Sequence, residues 1–285
     1  MFSVHLKTEG GTGVMKISRH KLVKESARFD EVSKTSGDFG EGLPDTIVIH
    51  YTAGPTAESA IHTFKDPAVK ASAHVVIDFD GSIIQLIPFN KIAWHAGKSS
   101  WLDRNRLNPY SIGIEIVNAG RLEKTGDRWR AWFGRTYGEE DVVKAVHRNE
   151  NRETWWHRFT EEQITATVEL CKEIMNHYKI RFILGHEEIS PGRKIDPGPA
   201  FPLDKIRDRL LYADRSDEKE EMKAVNGRVN TAGLNIRSGP GTSHKTVMDP
   251  LSRGTEITIL EEQKGWYRVE VPVQGWVSKR FIEKL

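Results

Sequence analysis

The sequence predicts a mixed α/β domain, a central mixed β-sheet flanked by helices, followed by a small all-β barrel. Three observations carry that reading. Between residues 16 and 212, short β-branched runs alternate with stretches of helical periodicity. One pair of those runs closes on Asp80-Gly81, a hairpin signal that makes the sheet mixed rather than purely parallel. After the charged stretch "DRSDEKEEMK" the helical patterns stop, and short alternating strands with Gly-Pro turns take over.

Taken in order, residues 1–15 read as an N-terminal tail with no structural role. "DTIVIHYTAG" is a buried strand closing on Gly54 and Pro55, and "AESAIHTFKDP" is a helix stopped by Pro67. "ASAHVVIDFDGSIIQLIPF" holds two strands around Asp80-Gly81, for which a type I′ turn is expected. "YSIGIEIVNAG" is a further strand. "FTEEQITATVELCKEIMNHY" carries the best helical pattern: Thr160 and Gln163 form a capping box, and Ile164, Val168, Cys171, Ile174 or Met175, and Tyr178 recur on one face. "RFILGH" is a short strand ending at His186, and "PLDKIRDRLLY" closes the domain as a helix. Residues 120–159 break the pattern and read as a Trp-rich insertion within the 16–212 domain. Residues 213–222 form a charged linker, and 223–285 the all-β module.

Composition narrows the functional classes. With 42 Lys+Arg against 40 Asp+Glu, the formal net charge of +2 gives no case for a nucleic-acid partner. Cys171 is the single cysteine, so no internal disulfide and no Cys-based zinc cluster can form. The N-terminus lacks the apolar core of a signal peptide, and no stretch is long and apolar enough to span a membrane. The expectation is a soluble, monomeric protein made in the cytoplasm, for which export needs lysis, a non-classical route or a removed leader.

The segment "GHEEISPGRKIDPGPAF" concentrates candidate chemistry. "HEEIS" fails the H-E-x-x-H zinc motif, because position 190 is Ser and Pro191-Gly192 ends any helix. A site here must draw on several chain segments. His50 and His186 each end a strand, and Asp196 follows on a loop; two imidazoles and a carboxylate would give zinc three ligands and leave one position for water. A strand-end histidine also occurs as a merely hydrogen-bonded polar residue, so the residues alone leave both readings open. Glu187 and Glu188 read as bystanders.

Four blocks then acquire a common meaning. "IVIHYTAG", "SAHVVIDFDGSIIQLIPFNKIAWHAG", "NPYSIGIEIVNAG" and "LGHEEISPGRKIDPGPAF", in that order, resemble the zinc-dependent N-acetylmuramoyl-L-alanine amidases. That family spans cytosolic muropeptide-recycling amidases, many phage endolysins and the animal peptidoglycan-recognition proteins. The resemblance covers roughly residues 16–212 and implies the amidase/peptidoglycan-recognition fold. It implies Zn2+ as cofactor, with His50, His186 and Asp196 as metal ligands, Glu115 as the proton-transferring carboxylate and Lys194 as the oxyanion stabiliser. Many relatives carry Cys at the third ligand position; Asp is the recycling-type choice. Some use a Tyr where this chain has Ala73, which leaves the proton transfer to Glu115. On the residues alone, Glu115 is a strand carboxylate sharing a face with Gly113 and Val117, and Lys194 a solvated loop charge.

His74, Trp94 and His95 are candidate substrate contacts; for the two histidines a supporting or core role is equally open. His62 reads as structural or exposed. Four of the tryptophans, Trp129, Trp132, Trp155 and Trp156, lie in the insertion and either stack on sugar rings or pack the insertion onto the domain.

"LNIRSGPGTSHKTV", "GTEITILEE", "KGWYRVEV" and "GWVSKRFI" resemble a bacterial SH3-like domain, which implies binding to the peptide or cross-bridge of peptidoglycan. Trp266 and Trp276 read there as barrel core. The implied activity is hydrolysis of the amide joining N-acetylmuramic acid to L-alanine, with peptidoglycan or muropeptides as partner. The rivals are a non-catalytic peptidoglycan-binding protein, an amidase restricted to soluble muropeptides, and a cysteine peptidase, the last disfavoured because Cys171 sits on an apolar helix stripe.

Overall fold

The structure, a computed structural model, describes residues 15–211, 225–239, 241–242, 244–263 and 266–271. The chain divides into two compact units, Met1–Ala213 and Asp214–Leu285. The N-terminal tail, the linker and Trp276 fall almost wholly or wholly outside the described residues.

In unit 1 the central sheet is built from β1 (Ala27–Phe29), β2 (Thr46–Tyr51), β3 (Val75–Ile77), β4 (Ile83–Gln85), β5 (Ser111–Ile116) and, after the insertion, Phe182–Gly185. The insertion supplies β6 (Arg121–Thr125), β7 (Arg128–Arg130), β8 (Thr136–Tyr137), β9 (Val142–Val146) and β10 (Glu153–His157), so Phe182–Gly185 is β11. The central order is β11-β2-β5-β3-β4-β1. Its pairs are parallel except β3 with β4, which is antiparallel. The sheet is therefore mixed, as the hairpin signal requires.

The turn that joins β3 to β4 differs from the expected type I′. Asp78 and Ser82 close a three-residue loop, with Gly81 N–H donating to Asp78 C=O and only Gly81 at positive φ (+78°). This is a type I turn followed by a left-handed glycine. The Asp80 carboxylate accepts from Ser82 N–H, which holds the loop without any left-handed backbone at Asp80.

Period-two alternation gives the sheet two different faces. Ile47, Ile49, Ile112, Ile114, Ile116 and Ile183 point to the back. There they pack under α2 (Glu161–His177) and a later helix, Leu203–Leu211, through Leu170, Cys171, Ile174, Leu203 and Ile206. Thr160 caps α2, its hydroxyl accepting from Gln163 N–H while Gln163 reaches back to Thr160 N–H. The front face carries Val48, His50, Gly113 and Glu115, and α1 (Ala57–Lys65) packs nearby on Val76 and Ile84.

The insertion is an antiparallel sheet of its own, ordered β8-β7-β6-β10-β9. Its small core joins Leu122, Trp129, Tyr137 and Val142 to Trp155 and Phe133. In unit 2 the described residues form an antiparallel sheet of β12 (Val225–Arg228), β13 (Glu256–Gln263) and β14 (Trp266–Glu270), with a bulge between Ile259 and Glu261.

Candidate metal centre and active site

The site grows from strand register. β2 and β5 pair in parallel with His50 opposite Glu115, so alternation sends both side chains to the front. β11 flanks β2 on its other side with Gly185 opposite Ile49, which delivers His186 beside His50. His186 opens a single helical turn, His186–Ile189, and the chain loops back so that Glu187 N–H donates to Asp196 C=O at 2.8 Å.

Three buried donor atoms meet. His50 Nδ1 lies 2.9 Å from His186 Nδ1 and 2.9 Å from Asp196 Oδ2, and His186 Nδ1 lies 3.0 Å from the same oxygen. Hydrogen bonding alone accounts poorly for this triangle, because one proton cannot serve three mutual contacts and two N–H groups cannot face each other. Three lone pairs around a cation do account for it, and two imidazoles with a carboxylate are a donor set that fits zinc.

The far sides of the rings fix which nitrogen is bare. His186 Nε2–H donates to the Ala96 carbonyl at 3.2 Å, leaving Nδ1 without a proton. For His50 the same result comes through a relay. His95 Nε2–H donates to the Ser111 carbonyl (3.1 Å), so His95 Nδ1 accepts from His50 Nε2–H (3.0 Å), and His50 Nδ1 is left bare. His95 fits only because residue 113 is glycine: a Cβ there would stand 2.3 Å from the His95 ring.

Burial and the neighbouring His186 lower the His50 pKa to about 4, against a pull upward from Asp196. Asp196 moves far below the usual carboxylate range: burial opposes the shift, but the His186 and His50 rings set against its Oδ2 outweigh it. Glu115 moves the other way. Burial, reinforced by the Asp196 charge, pushes it well above its ordinary value, with Lys194 opposing. Its Oε2 is buried and has no hydrogen-bond partner among the described residues. An unpartnered buried carboxylate oxygen costs stability and is retained where it has a proton to handle. These groups line one cleft of about 330 Å3, together with Lys194, Trp94 and His95.

The comparisons with known proteins bear on this geometry. A family model described as N-acetylmuramoyl-L-alanine amidase matches residues 40–199, more than half of the chain. The chain belongs to that family. N-acetylmuramoyl-L-alanine amidase AmiD of Escherichia coli (strain K12) is 33% identical over 176 residues, 59% of this chain and 53% of AmiD. The chain thus spans about half of that relative's length. 1,6-Anhydro-N-acetylmuramyl-L-alanine amidase AmpD of Enterobacter cloacae is 32% identical over 191 residues, 66% of this chain and 80% of that protein. A solved selenomethionine derivative of AmpD superposes with a TM-score of 0.46 at 25% identity, covering 69% of this chain and 99% of the other. A bacterial SH3 domain model matches residues 232–283.

Within the amidase fold the remaining candidates separate. His74 is fully buried, accepts from Gly113 N–H at Nδ1 and donates from Nε2 to the Lys91 carbonyl. Both nitrogens are spent on backbone, so it is a bracket between strands and has nothing to offer a substrate. His95 borders the cleft, but its nitrogens are committed to His50 and Ser111, so it too acts through another residue. Trp94 lines the cleft with its indole N–H held by Ser36 Oγ (2.7 Å). His62, on α1, is exposed.

The insertion tryptophans divide as well. Trp129 and Trp156 are buried and Trp155 half-buried, whereas Trp132 is 78% exposed and donates its indole N–H to the Ala53 carbonyl, on the wall of the cleft (2.7 Å). Tyr51 and Arg193 also line the cleft and escaped the sequence reading. Arg193 donates to the Lys98 carbonyl and Ser190 Oγ, tying the 186–196 loop to the His95 segment. The signal for both was adjacency, one residue from His50 and one from Lys194.

Proposed function

We propose that the chain is a zinc-dependent hydrolase of the amide between N-acetylmuramic acid and L-alanine in peptidoglycan. The observation that carries this reading is the convergence of His50, His186 and Asp196 beside the unpartnered Glu115 oxygen. His50, His186 and Asp196 would hold the ion. When bound, Zn2+ polarises the scissile carbonyl and lowers the pKa of water at the open position. Glu115 takes the proton of the attacking water and passes it to the departing alanine nitrogen. Its burial, which raises its proton affinity, suits that double duty, since a carboxylate held with low proton affinity could not keep the proton for the second step. Lys194, on the cleft wall, supports the developing oxyanion.

A wall-polymer substrate is favoured over soluble fragments by the bacterial SH3 match, since a second weak site raises effective concentration at the first. Trp132, exposed on the lip, offers a flat apolar face for a sugar ring. The test is a digest of purified sacculi and of soluble muropeptides, with products identified by mass spectrometry. Peptides with a free L-alanine amine and glycan that keeps its lactyl acid are expected. An intact muramyl–alanine bond in both substrates, with the protein still bound to sacculi, would instead establish a binding protein.

A further inference from the structure

The two acids beside His186, bystanders by sequence, are each held by several partners. The Glu187 carboxylate is 2% exposed and is held by two hydrogen bonds and an ion pair. His147 Nε2–H donates to Oε2 at 2.6 Å, Gly198 N–H donates to the same oxygen at 3.1 Å, and Arg148 Nε–H reaches Oε1 at 2.9 Å. Its backbone N–H holds the Asp196 carbonyl, and its own carbonyl accepts from Asn149 Nδ2 at 3.0 Å.

The donors His147, Arg148 and Asn149 follow β9 in the insertion, about 40 residues upstream. His147 is 1% exposed and oriented from both sides: Asn149 N–H donates to its Nδ1, and Trp156 stacks against it with ring centroids 5.6 Å apart. Trp156 also lies against Gly198, where a Cβ would approach its ring to 2.7 Å. Glu188 continues the grip, accepting from Gly185 N–H (2.7 Å), from Arg207 (2.6 Å) and from Arg148.

The contacts on Glu187 fall at the two ends of one loop. Residue 187 adjoins His186, residue 196 is the third donor, and residue 198 lies two positions beyond it. We infer that the 120–159 insertion is a clamp on this loop, in which His147 and Glu187 fix the spacing of His186 against Asp196 and so set the affinity of the site for zinc. His147 and Glu187 are positioning residues, and the inference rests on the metal reading of the three donors. Its physical basis is that ligands already held at their working separation lose little freedom when the ion binds, whereas a slack loop must be ordered at that moment.

The experiment is a zinc titration of the full chain against a chromophoric chelator. H147L removes the donor to Glu187 and is expected to weaken zinc binding by about 10- to 100-fold. H147Q, which keeps an N–H of similar reach, retains more affinity than H147L. V142A thins the insertion core away from the loop; it lowers the melting temperature and leaves zinc affinity unchanged. Wild-type affinity in H147L, equal losses in H147L and H147Q, or a comparable loss in V142A would each overturn the clamp. Should H147L not fold, R148A decides: Arg148 is partly exposed and bonds both Glu187 and Glu188, so a several-fold loss is expected and no loss refutes the inference. A wild-type chain that takes up no zinc would instead remove the metal reading itself, and a failed clamp would leave wild-type binding intact.

Discussion

The two faces of the central sheet come from alternate residues of the same strands, and they are built to opposite rules. Behind, Ile47, Ile49, Ile112, Ile114 and Ile116 are at most 1% exposed, pack on two helices and leave no polar group to satisfy. In front, the residues between them give His50, Gly113 and Glu115: two titratable groups and a glycine that makes room for a third. One face contributes hydrophobic stability and the other carries strain, in the form of buried imidazoles and a carboxylate oxygen without a partner. A step of one residue along a strand therefore separates folding from chemistry, and substitutions on the two faces should fail in different ways.

The sharpest break is on the front. Replacing His50 or Asp196 by Ala should abolish zinc uptake and hydrolysis together, a loss of at least ~10⁴-fold, while circular dichroism reports a folded chain. Glu115→Gln should retain zinc, lower kcat by about 10²- to 10⁴-fold, and raise the melting temperature of the zinc-free protein. The sign follows from its raised pKa. Below about 4.5 the carboxyl is protonated folded or unfolded; as pH rises, the unfolded chain ionises first, so an intact Glu115 progressively destabilises the fold and the amide does not.

On the back, Ile114→Ala should cost about 2–5 kcal/mol of stability, read by denaturant unfolding, and leave the zinc affinity of the folded fraction unchanged. The pH dependence should come from the front and from His157 in the insertion, which burial also lowers to about 4. His50 and His74 are held near pKa 4 by burial, below their unfolded value, so the unfolded chain takes up more protons as pH falls from about 6.5 to 4. Stability of the zinc-free protein should drop across that window, and His74→Asn should flatten the drop. The smallest effect is remote from both faces: Thr160→Ala, which removes the α2 cap, should cost about 0.5–2 kcal/mol without touching activity.

Legibility in the sequence followed the range of the interaction. The strands carrying His50 and Glu115 show as β-branched runs, and α2 shows through its capping box, because both signals are local. The three convergent donors His50, His186 and Asp196 emerged from strand ends and from the ordered amidase blocks. The relay through His95 did not, since it depends on which nitrogen faces a carbonyl, a matter of ring orientation that no spacing encodes. Glu187 was misread for a related reason: its partner His147 lies 40 residues away in a segment rich in charge, where the alternation of β9 is too weak to announce a strand. Asp80-Gly81 did mark a turn, but the Asp80 side chain satisfies the loop in a way that permits a type I turn with one left-handed glycine instead of the type I′ form.

The account turns on one claim, that His50, His186 and Asp196 form a zinc site and that the chain hydrolyses the muramyl–alanine amide only when that site is filled. It is tested most directly by stripping the purified protein with a chelator and titrating zinc back while measuring stem-peptide release from a muropeptide. The prediction is no release from the stripped protein, recovery that rises linearly and breaks at one zinc per chain, and no recovery at any zinc level in the Asp196→Ala variant. Full release from the stripped protein in excess chelator would contradict it.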